Sequence, residues 1–447
     1  MNNSALLTDL YQLTMMAGYY ENNLNETATF ELFVRNYPKN RNYLIFAGLE
    51  QILDYILNLK FTEDELKYLR NHPVFKDVKD DFFNYLKDFK FTGDIWAMPE
   101  GTIFFPNEPV MRITAPIVQA QLLETYILSM FNFQTMIATK ASRVTTASQG
   151  RQIIEFGSRR AHGPEAGVLA ARASCIGGCI GSSNVYAGHK FGIPIYGTMA
   201  HSWIMAFDNE EEAFEKYHKL YPDNTILLVD TYNTIEGIKK ATRISPKIKG
   251  IRLDSGDFYN LSIEARKILD DAGMQNTIIV ASGDLNEYKI KDLIEREAPI
   301  DVFGVGTELV ISADAPSLGG LYKLVEIEKD SKVIPKAKFS QNKNTYPGKK
   351  QVWRFLDKNK LIKDVIANEE ESYPQQNAIP LLSLIVKEGK LLFALPDINQ
   401  IKQHCLNNLS ILDKQSLDLK NPTCTKVEIS ENLENKHNQI KDNLCNT

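Results

Sequence analysis

Residues 277–308 read TIIVASGDLNEYKIKDLIEREAPIDVFGVGTE. A β-branched run from Thr277 ends in Ser282-Gly283-Asp284, a helical pattern follows, and a second apolar run from Ile300 ends in Gly304-Val305-Gly306-Thr307-Glu308. Strand, glycine-bearing loop, helix and strand again is a parallel β/α unit, because only a crossover helix lets the second strand run alongside the first in the same direction. The pattern recurs upstream. Strand-like runs begin near Ile153, Ile193, Thr225 and Ile248, so that the six starts return at intervals of roughly 23 to 40 residues.

Each run ends in residues unsuited to a core: Glu155 to Arg160, Gly197 to His201, Asp230 to Asn233, Arg252 to Asp257, Ser282 to Asp284, and Gly304 to Glu308. Parallel strands share one carboxyl-terminal face, so these distant segments should converge there, and that face is the predicted active site. Any one ending alone is an ordinary turn or helix cap. Six in succession, carrying arginines and a histidine, point to a site. A closed eight-stranded barrel needs two more strands, expected around Thr139 to Thr146 and Leu321 to Ile327; an open doubly wound sheet is the alternative.

The flanks have another texture. Thr29 to Arg35 alternates Phe30, Leu32 and Val34 with other side chains, which predicts a half-buried strand, and Thr92 to Pro116 breaks into short β runs. The apolar stretch Ile117 to Ala138 carries Gln119, Gln121, Glu124, Asn132 and Gln134, so it reads as a buried helix and not a membrane span. Past Glu326, short strands return at Val352 to Leu356, Leu382 to Val386 and Leu391 to Ala394, before a polar tail from Lys402 to which no chemistry is assigned. The expected organisation is an α/β protein with an N-terminal α+β domain over 1–135, a β/α barrel catalytic domain over 136–326, and a C-terminal region over 327–447 that packs back onto the N-terminal domain.

Composition narrows the function classes. With 447 residues, 43% of them hydrophobic and 24% charged, the chain can bury a large core and keep a soluble surface. Its net charge of -5 lacks the basic excess of a nucleic-acid binder, though a local basic pocket is compatible with it. Cys175, Cys179, Cys405, Cys424 and Cys445 have no zinc-site spacing and fit reduced thiols, with Cys175 and Cys179 expected on one small-residue helix. Neither a basic, apolar leader nor a long apolar span is present, so the expectation is a cytoplasmic enzyme with no membrane partner.

Within the predicted site, Gly283, Gly306 and Thr307 lie on loops whose backbone N–H groups can cradle a phosphate, although glycines at such turns also serve steric needs. Arg159, Arg160 and Arg252 could hold a carboxylate and a diphosphate, or stand as surface or ion-paired arginines. Asp254 and Asp257 could orient ribose hydroxyls or hold magnesium through waters, with Asp257 the better candidate for a helix cap. His201 can attack phosphorus through a ring nitrogen or fill a polar niche beside Trp203; taken alone, the niche is the simpler reading. His162 and His189 read as structural. No P-loop, no GxGxxG fingerprint and no acidic pair followed by Thr-Gly is present, which argues against P-loop, hydride-transfer and Rossmann-like phosphoribosyltransferase readings.

The motifs Leu6-Leu7-Thr8-Asp9-Leu10-Tyr11-Gln12, Phe30-Glu31-Leu32-Phe33-Val34-Arg35, Glu155-Phe156-Gly157-Ser158-Arg159-Arg160, Gly197-Thr198-Met199-Ala200-His201-Ser202, Asp230-Thr231-Tyr232, Gly250 to Asp257 and Gly304-Val305-Gly306-Thr307 together resemble the nicotinate phosphoribosyltransferase family. That resemblance implies an irregular β/α barrel of the type II phosphoribosyltransferases and a homodimer. It implies formation of nicotinate mononucleotide and diphosphate from nicotinate and phosphoribosyl diphosphate in NAD biosynthesis, with magnesium and with ATP hydrolysed through a phosphohistidine at His201. Tyr11, Thr198 and Arg252 would contact nicotinate, and Thr307 the phosphoribosyl diphosphate. Strand-end position adds Arg160, Asp254, Gly283 and Gly306 to the latter pocket. Nicotinamide or quinolinate as substrate, and an inactive binding protein, are the competing readings; the intact His201, Arg252 and Thr307 argue against the last.

Overall fold

The computed structural model describes residues 4–445 apart from 341–342 and 375–376. The chain forms two compact units, one from the segments up to Met136 and from Ser317 onward, the other from Ile137 to Pro316.

The first unit is built on a seven-stranded sheet in the order Lys332–Pro335, Gly320–Lys329, Thr27–Val34, Met111–Pro116, Asp94–Ala97, Ser383–Lys387, Lys390–Leu391. Thr27–Val34 pairs antiparallel on both sides. Contrary to the half-buried strand its alternation predicts, Phe30, Glu31, Leu32, Phe33 and Val34 are all buried. The off-face position is covered because Glu31 meets the buried Lys350 at 2.8 Å and accepts its backbone N–H at 3.0 Å, so the charge is paired instead of solvated. The C-terminal region does return to this sheet, since Ser383–Lys387 pairs antiparallel with Asp94–Ala97. The polar tail includes two helices, Ile398–Ile411 and Glu431–Cys445, the first opened by a capping box at Asp397.

The second unit holds six parallel strands ordered Gly181–Ser182, Gln152–Glu155, Val302–Val305, Ile278–Ser282, Gly250–Leu253, Ile226–Leu228. Read as a ring, every neighbour in space is a neighbour in sequence, with the last strand beside the first. That is barrel connectivity with one seam, not the reversing order of a doubly wound sheet. Ile153, Ile251, Leu253, Ile279 and Phe303 are buried to within 1% of complete, as strands covered on both faces require. Helices Thr234–Ile244, Phe258–Asp271 and Glu287–Glu295 are capped by Asn233, Asp257 and Asn286. Asp257 therefore serves as the cap that its position suggests.

Several elements differ from the sequence expectation. Thr139 to Thr146 belongs to the helix Glu124–Ala147, where an Ala/Ser/Thr-rich stretch lets the helix pack closely, and Leu321 to Ile327 lies in Gly320–Lys329, paired with Thr27–Val34 in the first unit. The run near Ile193 contributes a single bridge, Ile195 to Ser182, and the ladder strand is the short Gly181–Ser182. Such a strand carries no hydrophobic alternation. It is there because Gly181 lets the backbone approach the Pro194 carbonyl, which a Cβ would meet at 2.2 Å. Cys175 lies in the last turn of the helix Pro164–Ile176, and Cys179 lies just beyond it, past Gly177 and Gly178. No helix among the described residues is long and apolar enough to cross a membrane.

Candidate active site

The carboxyl ends of the parallel strands surround a cavity of about 960 Å³. Five of the six polar strand endings line it, and the sixth, Asp230 to Asn233, supports it from behind. The wall carries Arg159, Arg160, Arg252 and Lys289 against two carboxylates, Asp254 and Asp284, so an acidic chain keeps a cationic pocket.

Arg252, at the third position of Gly250–Leu253, is the hub. Its Nε donates to Ser282 Oγ (2.9 Å), Nη1 to Thr198 Oγ1 (2.7 Å) and to the Met199 carbonyl (3.2 Å), and Nη2 to Asp254 Oδ1 (2.9 Å). A guanidinium has five N–H groups, so these four bonds leave one for a ligand. Ser282 also donates to Asp254 Oδ1, closing a triangle across two adjacent strands. Burial works against the charge on Asp254, but Arg252 beside it, the Ser282 and Arg252 hydrogen bonds and nearby His201 outweigh burial and hold its carboxyl below the usual range.

His201 opens the short helix His201–Met205. Its Nδ1 lies 3.1 Å from Thr231 Oγ1 and its Nε2 3.7 Å from Asp254 Oδ2, and 41% of the side chain is exposed. The ring thus lines the cavity, while Trp203 turns its Nε1 to the Ala213 carbonyl at 3.1 Å. Asp230 Oδ2 accepts from the Asp254 N–H (3.0 Å) and from Ser255 Oγ (2.7 Å), bracing the loop that carries Asp254.

Gly283, Gly304, Gly306 and Thr307 all lie in the wall. Gly283 has φ +116°, and a Cβ there would sit 2.1 Å from the Asp254 carbonyl, so no other residue fits. Lys289 Nζ donates to the Asp284 carbonyl at 2.7 Å, tying that loop to the following helix. On the other flank Glu155 is fully buried at the base of the Arg159–Arg160 turn. Burial raises its carboxyl pKa, and the Ser182 hydroxyl at 2.5 Å and the Gly157 N–H oppose that.

Of the residues predicted from sequence, Thr198, His201, Arg252, Asp254, Gly283, Gly306, Thr307 and Arg160 share this one cavity. Tyr11 lies in the first unit, on the helix Leu10–Glu21, and is half exposed. Thr231, Ser282, Asp230 and Lys289 had no individual role from sequence. Three of them are strand-end residues of the same polar segments, a usable signal, whereas Lys289 looks like any surface helix lysine.

Comparison with known proteins agrees along most of the chain. Residues 6–132 match the nicotinate phosphoribosyltransferase (NAPRTase) N-terminal domain, 151–370 the nicotinate phosphoribosyltransferase family, and 349–437 its C-terminal domain. A nicotinate phosphoribosyltransferase of Mycobacterium tuberculosis is 40% identical over 432 residues, covering 95% of this chain and 89% of the relative. One of Bacillus subtilis is 39% identical over 471 residues, covering 98% and 95%. The crystal structure of human nicotinic acid phosphoribosyltransferase superimposes with a TM-score of 0.86 at 26% identity, over 97% of this chain and 100% of that one. Motif order, barrel connectivity and these matches agree: the chain belongs to the nicotinate phosphoribosyltransferase family.

Proposed function

We propose that this enzyme joins nicotinate to 5-phosphoribosyl 1-diphosphate, forming nicotinate mononucleotide and diphosphate for NAD biosynthesis, and couples the reaction to ATP hydrolysis through His201. The observation that supports this reading is the meeting of His201, Arg252 and two glycine-bearing loops at one cavity whose wall has more cations than carboxylates.

In this reaction the pyridine nitrogen attacks the anomeric carbon as the bond to the diphosphate oxygen breaks. The bonding electrons leave with the diphosphate, and positive charge passes from the ribose to the pyridinium. Arg159, Arg160 and Lys289 oppose the charge gathering on the leaving group, and the backbone N–H groups around Gly283 and Thr307 hold the phosphoribosyl phosphates. The nicotinate carboxylate takes the remaining Arg252 N–H together with the Thr198 hydroxyl, whose only acceptor among the described residues is the Met199 carbonyl at a long 3.4 Å. Tyr11 is assigned to nicotinate by its motif alone.

Magnesium, when bound, neutralises charge on the diphosphate. Among the described residues no group of three His, Cys, Asp or Glu side chains could hold a metal alone, which suits an ion bound largely by phosphate oxygens and water. Asp284 in the wall, and Asp230 Oδ1, buried with no hydrogen-bond partner among the described residues, are the carboxylate oxygens suited to its waters.

For the ATP step, the His201 tautomer that carries its proton on Nδ1, directed at Thr231 Oγ1, has the Nε2 lone pair to attack the γ-phosphorus, with ADP departing and water later releasing phosphate. The transient phosphate adds negative charge beside Asp254 and so alters substrate affinity within the turnover. Exposed apolar side chains on the catalytic unit, among them Val185, Tyr186, Met205 and Tyr232, support a homodimer. The free thiols of Cys405 and Cys424 support a cytoplasmic setting.

A product assay with nicotinate, nicotinamide and quinolinate, each with phosphoribosyl diphosphate and with or without ATP, should release diphosphate fastest with nicotinate and ATP. Nicotinamide turnover at an equal or higher rate would reverse the substrate assignment. His201→Asn should carry no acid-labile label from γ-labelled ATP and lose the ATP stimulation while melting like the parent; label that persists moves the phosphorylated position. Arg252→Ala should raise the nicotinate KM about tenfold to a hundredfold and the phosphoribosyl diphosphate KM far less, whereas an equal rise in both would assign the guanidinium to the phosphates. Because the Asp254 carboxyl is held below its ordinary value, its charged form stabilises the fold above the unfolded-state pKa, about 4, and that contribution is lost as pH falls through the lower folded value. Asp254→Asn should therefore melt below the parent at neutral pH, with the gap closing in acid; a gap that does not change with pH would rule out the carboxylate charge as its source.

A further inference from the structure

Behind the two glycine-bearing loops the catalytic unit buries a cation that the reaction does not touch. Lys140, on the helix Glu124–Ala147, is 1% exposed and absent from the cavity wall. Its Nζ lies 2.6 Å from Glu287 Oε2, 2.9 Å from Asp314 Oδ1 and 3.9 Å from Glu308 Oε2. Arg143, on the same helix, shares Glu287 at 3.2 Å and donates to the Tyr288 hydroxyl at 3.2 Å.

The positions of these carboxylates are informative. Glu287 is the first residue of the helix that follows Gly283-Asp284-Leu285-Asn286. Glu308 is the second residue of Thr307–Val310, the turn of helix that follows Gly306, and Asp314 lies just past it, where the Ala313 N–H folds back to the Glu308 carbonyl at 3.1 Å. One ammonium therefore pairs with carboxylates on the segments that carry both loops, hydrogen-bonding to Asp314. Lysine suits this task because its head is a compact charge with three donors, able to meet carboxylates from different directions. The Lys140–Glu287 pair is fully removed from water, and such a pair is a poor source of net stability compared with apolar packing, so its presence here suggests a need for fixed geometry. Backbone N–H groups that hold a phosphate lose affinity steeply when displaced by a fraction of an ångström to an ångström.

We propose that Lys140 is a positioning residue: it fixes the spacing of the Gly283 and Thr307 loops and so sets affinity for phosphoribosyl diphosphate without touching it. The inference rests on the reading of the cavity as the phosphoribosyl diphosphate site. Lys140→Met, close in length but uncharged, should raise the phosphoribosyl diphosphate KM by about tenfold or more and leave the nicotinate KM within about twofold. Should that variant fail to fold, Asp314→Asn, which weakens the tie to the second loop and leaves the Glu287 pair, should shift the same KM in the same direction by about threefold. A folded variant in which the phosphoribosyl diphosphate KM is unchanged, or in which both KM values rise together, overturns the proposal. Direct titration of the parent protein with phosphoribosyl diphosphate separates the two levels: no binding there refutes the cavity reading, whereas parent binding with an unmoved variant KM refutes only the role of Lys140.

Discussion

The geometry of the site depends on the charge pair between Arg252 and Asp254, two residues apart at the carboxyl end of one strand. A single carboxylate beside a guanidinium does more than neutralise it. Through Ser282 on the neighbouring strand and Thr198 on a separate loop, the pair ties three segments into one rigid wall. His201 is then oriented by what this wall presents, with Asp254 on one side of the ring and Thr231 on the other.

Holding charge at the end of a buried parallel sheet requires support from below and behind. Below, the strands bury apolar side chains on both faces, and these low-dielectric surroundings strengthen the electrostatics at the rim. Behind, the Lys140, Arg143 and Glu287 network and the Asp230 contacts carry polar partners into the interior, so that loops rich in glycine are not left to find their own conformation. Gly283 illustrates the trade: its missing side chain admits the Asp254 carbonyl and gives up conformational order, which neighbouring hydrogen bonds restore. The first unit uses the same device, since the Glu31–Lys350 and Arg354–Asp364 pairs let its strands bury both faces despite charged residues on one of them.

Much of this was legible in the sequence because the signals are local. Strand runs at 153, 225, 248, 277 and 300, the polar residues that end them, and the helix cap at Asp257 depend on a few consecutive side chains, and each appears where its pattern places it. Gly181–Ser182 was not legible, because a two-residue strand of small residues exists only through the backbone it lies against. The stretch from Leu321 was legible as a strand but not as to its partner, since antiparallel pairing with Thr27–Val34 links residues almost three hundred positions apart.

The line between the two kinds of information follows the range of the forces. Periodicity, turn residues and motif order are written along the chain, and from them came the β/α class, the face that holds the cavity, and His201, Arg252 and Thr307 as residues of its wall. Which hydroxyl meets which guanidinium, which lysine stands behind which loop, and whether six strands lie as a ring or an open sheet depend on register and on packing between distant segments. Side chains such as Thr231, Ser282 and Lys140 acquire their meaning only from neighbours that folding brings to them, because hydrogen bonds and ion pairs act over a few ångströms of space and not over sequence.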